Sequence, residues 1–550
     1  SDKNTYYVSV GYTGNTGIVK KTDSDSYNAS LKLNSKFNDK LTVEFDTDFS
    51  HLKAGGSANS VDPFKYAYFA NPYEHPYNED GSYSSNDSYM NLSLINNSWY
   101  GTLPPNGYNI LRDIDETSSK STTVGVRSQI TYQFNDNFKI NGLAKYSYTT
   151  DNSDNIVGRN TYAAWSDRPF DDASSTRTYG SITQASMNRS SLVARVQLSY
   201  NQHLNKDHRV SAIGGAEVGR NYSKSIQLKR YGYDPLTGNS SIPLYVDPGT
   251  GKIDYSKLIS YGAIVDGMMG QSIIEDRLAS FYLAADYNIK EKYILSTSFR
   301  TDGSSNFGAK QQFNPTGSVG LAWNADQENF IKKLSPVLSS LTLRLSSGYT
   351  GNINRSVYPQ LMMDYSTSFR KTYDNYFRIG YINNAPNKNL RWEKTFDYKV
   401  ALDVGVIDDR IKLLVEAYVR QTKDAVTSLT VVSTSGFSSQ RFNNSELENK
   451  GIEVTLSSII LKLKDFSWNA SANIGYNVNK LTKYIPVSGT ISSTGNYVDY
   501  PLNGLFGGKV IGIDSATGIY KFELRPDAEA VTDSELRDNT NYTFYLGTSN

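Results

Sequence analysis

Acid–base or nucleophilic catalysis near neutral pH depends most often on histidine, and this chain has four: His51, His75, His203 and His208. His203 and His208 bracket a short turn, whereas His51 opens a long connection and His75 lies within it. No HExxH pair, clustered metal-ligand spacing, Walker loop or dinucleotide glycine pattern occurs. The paired acids Asp171-Asp172 and Asp408-Asp409 are adjacent turn residues, and such neighbours do not face each other across a sugar about 5 Å or more apart. They read as solvated turn acids. No catalytic residue, cofactor or metal is therefore expected. Binding chemistry is better supplied. Aromatic faces stack on sugar C–H surfaces while planar polar groups bond to hydroxyls, and two loop clusters carry that mixture. One is Asn96, Asn97, Trp99 and Tyr100; the other is Trp165, Asp167 and Arg168. The competing role for each is packing the loops against one another or against a partner.

The elements that would position these residues are strands. In 550 residues, Lys plus Arg is 56 and Asp plus Glu is 55, so the formal charge of +1 supplies no bulk field for nucleic acid or an anionic surface. Cysteine is absent, which excludes disulfides and thiolate chemistry. Only 38% of the residues are hydrophobic, yet 13% are aromatic, a composition that folds but lacks a conventional aliphatic interior. No run approaches the roughly 18 apolar residues of a membrane-spanning helix. The opening SDKNTYYVSV has no charged segment leading into an apolar run, so a signal peptide is not read there; either it was removed or an N-terminal part is missing.

From Thr123 to Tyr148 the side chains alternate. Val124, Val126, Ile130, Tyr132 and Phe134 share one face, with Arg127, Gln129 and Gln133 on the other. After Asn135-Asp136-Asn137 the pattern resumes from Phe138, which makes a hairpin. The same unit recurs along the chain and gives about fifteen strands, with one short helix near Asp326 to Lys333. Several strands reach the 9 to 11 residues or so that a tilted bilayer-spanning strand requires. Turns at one set of ends are short, while the connections Ser50 to Ser121, Asp151 to Ser191 and Gly219 to Asp276 are long, the asymmetry of periplasmic turns and extracellular loops. A Lys or Arg facing mid-depth lipid costs about 2 to 4 kcal/mol. The rows Val124 to Phe134, Ala279 to Tyr287 and Phe396 to Val406 carry none, whereas their alternates hold Arg127, Asp286, Asp397, Lys399 and Asp403. The fold class expected is all-β, a transmembrane antiparallel β-barrel; a soluble β-helix or sandwich array is the alternative.

Particular strings then narrow the family. ASFYLAADYNIKEKYILSTSFRTDGSSNFG from Ala279, FNPTGSVGLAWN from Phe313, LRLSSGYTGN ending at Asn352, APNKNLRWEKT from Ala385 and LENKGIEV from Leu447 resemble the SusC-like TonB-dependent outer-membrane transporters of Bacteroidetes. Tyr7 to Tyr12 and YPLNGLFGGKVIGID from Tyr500 extend the likeness over essentially the whole chain. Asn306 stands where the family string usually has arginine. The resemblance implies a barrel of about 22 strands around an N-terminal plug. Against that, residues 1–550 read as a partial barrel domain, with plug, TonB box and C-terminal strands missing. Asp302-Gly303-Ser304-Ser305 and Gly351-Asn352 read as tight turns, and Trp392 beside Glu393 as an interfacial aromatic at a strand start.

By kinship the chain is expected to import a nutrient, an oligosaccharide or else a peptide, across the outer membrane. The partners so implied are the TonB complex, a SusD-like lipoprotein lid, outer-membrane lipid and a second transporter–lid pair, without nucleic acid. A non-transporting structural or adhesive surface barrel is the competing class, and an outer-membrane protease or lipase barrel a third.

Overall fold

The computed structural model describes residues 3–19, 21–56, 62–85, 108–113, 116–159, 161–166, 180–240, 249–252, 269–305, 312–335, 337–352, 362–372, 375–384, 387, 389–430, 434, 439–484, 494–495, 497–523 and 543–548. Its strands are β1 (Asn4–Thr16), β2 (Asp23–Lys36), β3 (Leu41–Gly56), β4 (Glu116–Gln133), β5 (Phe138–Val157), β6 (Ser181–His203), β7 (His208–Tyr231), β8 (Met269–Ile289), β9 (Tyr293–Ser304), β10 (Phe313–Asn324), β11 (Leu338–Asn352), β12 (Met362–Thr372), β13 (Asn375–Asn384), β14 (Glu393–Val406), β15 (Ile411–Thr430), β16 (Ser439–Lys462) and β17 (Ser467–Lys483). All but β12 and β13, which pair with each other, form one antiparallel meander of 15 strands in which sequence neighbours are sheet neighbours. Beyond it, β18 (Thr494–Gly495), β19 (Gly504–Gly508) and β22 (Thr543–Thr548) make a small sheet, and β20 (Val510–Ile513) pairs with β21 (Tyr520–Phe522).

The meander is held at one end by tight turns whose asparagines bond back to the chain. Asn38 Oδ1 accepts from the amides of Lys40 and Leu41 at 2.9 and 2.8 Å, and Asn135 Oδ1 from those of Asn137 and Phe138 at 3.0 and 2.9 Å. Asn205 serves the next turn, bonding the Asp207 amide at 2.8 Å. The turn before β11 contains a 3-10 segment, Ala325–Gln327, and a helix, Asn329–Lys332, in agreement with the expected short helix.

The two faces differ as the alternation requires. On one, Ile130 is 51% exposed, Leu283 56%, Val400 48% and Ile474 71%, and no described helix or second sheet covers this row. In water such a row would far exceed the few hundred Å² of contiguous apolar surface that soluble proteins tolerate; in hydrocarbon it costs nothing. Tyr132, Phe134 and Phe138 border it at the turn end, and Tyr12, Tyr27, Tyr146 and Tyr148 at the other, as interfacial aromatic girdles do. On the opposite face the expected charges are paired across strands. Arg127 bonds Asp46 at 2.8 Å, Asp403 meets Arg344 at 2.6 Å, Asp397 meets Arg420 at 2.7 Å and Lys399 lies 3.3 Å from Glu416.

The structure corrects several expectations. Strands run past the apolar band, so that β7 and β16 have 24 residues each. Much of the presumed loops 151–191 and 219–276 is therefore sheet, since polar sequence above a bilayer keeps its ladder without apolar alternation. Asp302 and Gly303 are not turn residues but lie within β9, paired with Asn314 and Phe313. Gly303 is needed because the Phe313 ring lies over it, where a Cβ would come within 2.6 Å of the ring. Gly351 and Asn352 likewise belong to β11, paired with Lys394 and Glu393, and a Cβ on Gly351 would meet Asn314 and Trp392. Trp392 does stand where β14 begins, but it is buried against this glycine at 5% exposure and does not face headgroups.

Leu283→Arg, on the apolar row, is expected to destabilise the folded barrel by about 2 to 4 kcal/mol. Ser298→Arg, on the polar face where Ser298 bonds Ser318 at 2.6 Å, should change little. Urea titration of the intact protein in phospholipid vesicles, read by heat-modifiable gel mobility, measures both.

Candidate functional site

Between β4 and β8, toward the ends that carry long connections, the polar face forms a depression of about 400 Å³. Strand register places Ser121 and Thr123 of β4, Ser147 and Thr149 of β5, Arg189 and Ser191 of β6, Asn221 and Ser223 of β7 and Asp276 of β8 on one face. All stand at alternate positions, as the two-residue period dictates. Ser121 Oγ donates to Asp151 at 2.6 Å, Arg189 bonds the other oxygen of that carboxylate, and the Thr123 and Thr149 hydroxyls lie 2.9 Å apart. Ser191 Oγ donates to Asn221 Oδ1 at 2.7 Å. A wall of hydroxyls, one amide, one paired guanidinium–carboxylate and the further carboxylate of Asp276 presents donors and acceptors suited to holding a polar solute or its water.

The rings of His51 and His208 do not face this wall. His51 Nδ1 lies 2.9 Å from Thr122 Oγ1 and His208 Nδ1 2.7 Å from the Tyr287 hydroxyl, and register places both rings on the apolar face. Among the described residues no three His, Asp or Glu side chains are grouped as metal ligands would be.

Above the sheet, two long connections pack together. Tyr108 and Ile110 are buried with Tyr66, Leu111 and Tyr162 around them, and Tyr162 meets Tyr108 edge-on at 5.7 Å between ring centres. The short helix Tyr162–Ser166 carries Trp165, which is 1% exposed and 5.6 Å from the Tyr162 ring. The ring predicted from sequence as a sugar platform is thus buried. Asn96, Asn97, Trp99, Tyr100, Asp167 and Arg168 lie outside the described residues.

Two residues that sequence reasoning passed over hold this layer. Asn109 and Asp113 are fully buried. Asn109 Nδ2 donates to the carbonyls of Pro76 and Ser84 at 2.8 and 3.0 Å, and its Oδ1 accepts from the amides of Leu111 and Arg112, both at 3.0 Å. Asp113 accepts from the Asn109 amide at 2.8 Å and from Arg112 Nε at 2.8 Å. The Asn-x-x-x-Asp spacing was the available signal. Further along, Asp514 sits in the turn between β20 and β21. The Lys521 ammonium at 2.9 Å, with the Thr517 and Ala516 amides, pulls its carboxyl down to about 2. Its contribution to that turn is present above the ordinary carboxylate range and is lost only as pH falls through about 2.

Asn109→Ala leaves the Pro76 and Ser84 carbonyls without this partner and should loosen the loop layer by about 1 to 3 kcal/mol. Faster surface proteolysis on intact cells, with the amount of barrel unchanged, is the expected reading.

The comparisons agree with this architecture. The family described as TonB dependent receptor-like, beta-barrel matches residues 156–543. The TonB-dependent receptor SusC of Bacteroides thetaiotaomicron is 26% identical over 501 residues, 87% of this chain and 46% of that protein. TonB-dependent receptor P26 of Formosa agariphila is 24% identical over 499 residues, covering 88% and 44% respectively. The chain thus spans under half the length of these curated relatives. The RagAB peptide importer in its 'open-open' state superposes with a TM-score of 0.77 at 22% identity, covering 100% of this chain and 56% of that one. In its 'closed-closed' state the TM-score is 0.76, also at 22% identity, covering 99% and 57%. At that identity the likeness establishes the fold. The apolar row therefore faces lipid and the polar face lines a lumen: this chain belongs to the TonB dependent receptor-like β-barrel family, is SusC-like in sequence, and is a β-barrel of the outer membrane.

Proposed function

We propose that the protein imports an oligosaccharide across the outer membrane, driven by the TonB complex and served by a SusD-like surface lipoprotein that closes over the barrel mouth. The observation that carries this reading is the lumenal wall of Ser121, Thr123, Thr149, Ser191 and Asn221, whose hydroxyls and amide match the hydrogen-bonding groups of a neutral glycan. Likeness to SusC over most of the chain supports the energised mechanism and the lipoprotein partner. Asn96, Asn97, Trp99, Tyr100, Trp165, Asp167 and Arg168 are kept as substrate-binding residues of the long connections; for Trp165, ring access requires the Tyr108–Tyr162 layer to open. Transporter–lid pairs that associate as dimers belong to the same proposal. A peptide cargo is the second reading, favoured by the fold shared with the RagAB peptide importer.

The test is uptake by cells producing the intact protein, offered labelled neutral oligosaccharides or oligopeptides of like mass. Oligosaccharide uptake that is abolished by a protonophore, and lowered about tenfold by Ser191→Leu with Asn221→Leu at unchanged barrel level, is the expected result; two lost hydrogen bonds account for that size. Uptake of peptides alone overturns the cargo assignment. Uptake of neither, with the barrel in place and no lipoprotein co-purifying, leaves a structural or adhesive surface barrel.

A further inference from the structure

The lipid-facing row ends, on the side of the long connections, in cations that the register sets directly opposite one another. Lys53 of β3 pairs with Lys120 of β4, Arg220 of β7 with Arg277 of β8, and Lys394 of β14 with Lys423 of β15. Each is at an alternate position continuing the apolar row: Arg220 follows Val218, Arg277 precedes Ala279, and Lys394 precedes Phe396. At the turn end, among the described residues, the same row ends in aromatic and aliphatic side chains, with no Lys or Arg on that face of the strands.

Like charges directly opposite across a strand pair destabilise a sheet, and among the described residues the carboxylates beside these pairs are fewer than the cations. Glu275 accepts from Arg220 Nε at 2.8 Å and from Arg277 Nε at 2.9 Å, one carboxylate for two guanidinium groups. Asp424 lies 3.7 Å from Lys394 Nζ but is already held by Arg391 at 3.0 and 2.6 Å. Asp25, the register neighbour of Lys53, sets one carboxylate beside the two ammonium groups of Lys53 and Lys120. Four inter-strand spacings, about 19 Å, separate the centres of the first two pairs, so each needs its own counter-anion. The depth just above the hydrocarbon is where lipid headgroups lie, and forked guanidinium groups match phosphate oxygens.

We propose that the three opposed cation pairs are docking sites on the outer wall for phosphate groups of an anionic outer-leaflet glycolipid, each phosphate bridging the two strands of a pair. This surface faces away from the lumen, so it stands or falls independently of the cargo.

The intact protein, purified in neutral detergent, is titrated with bis-phosphorylated lipid A, with zwitterionic phosphatidylethanolamine and with inorganic pyrophosphate, and bound molecules are counted by native mass spectrometry. The expected result is retention of lipid A alone. Arg220→Gln with Arg277→Gln should weaken it about tenfold or more, Arg220→Lys with Arg277→Lys should largely restore it, and the lumenal control Lys145→Gln should not change it. Equal retention by the doubly substituted protein, or equal binding of phosphatidylethanolamine, overturns the proposal, and binding of pyrophosphate as tight as lipid A overturns the assignment to a lipid headgroup. If the arginine variant does not assemble, Lys53→Gln with Lys120→Gln and Lys394→Gln with Lys423→Gln are read by the same criteria.

Discussion

Hydrocarbon offers no partner to a backbone amide or carbonyl, so a chain that crosses it must satisfy every such group within itself. Between its end strands, β1 and β17, the 15-stranded meander does this through neighbour-to-neighbour ladders, and each strand is registered along nearly its whole length to the next. The side chains then have one remaining degree of freedom, the face on which each stands, and the period of two resolves it. Everything else in the protein, from the aromatic girdles to the ion pairs of the lumen, follows from which face meets lipid.

The polar face shows what water permits on the other side of the same backbone. Arg127 with Asp46, Arg344 with Asp403 and Arg420 with Asp397 bridge adjacent strands rather than standing alone. Most of these groups are substantially exposed, where a pair contributes about 0 to 1 kcal/mol. Their effect is on the character of the lumen, where charge is cancelled locally by pairing across strands. Above the wall the mode of stabilisation changes. There the chain leaves the sheet, and buried Asn109 and Asp113 supply by side chain the backbone partners that a ladder no longer provides.

Much of the sheet was legible because lipid-facing alternation is strict. All fifteen expected strands are present, with the asparagine turns between them and the short helix before β11. The errors cluster where alternation stops carrying information. Polar extensions of β5 to β8 look like loop, since above the bilayer both faces are wet. Gly303 and Gly351 look like turn glycines, yet each makes room for a side chain of the neighbouring strand, the Phe313 ring over Gly303 and the Asn314 amide over Gly351.

The sequence by itself determined the all-β class, the strand positions and the two faces, because hydrocarbon imposes a cost at every second residue that no neighbouring contact relieves. Only tertiary structure decided what depends on register between strands that are distant in sequence. The union of Ser121, Thr149, Ser191 and Asn221 into one wall is of this kind, as is the direct opposition of Arg220 and Arg277. A shift of one residue in any of those pairings would have moved each side chain to the other face, and nothing within a single strand records which partner residue it will meet.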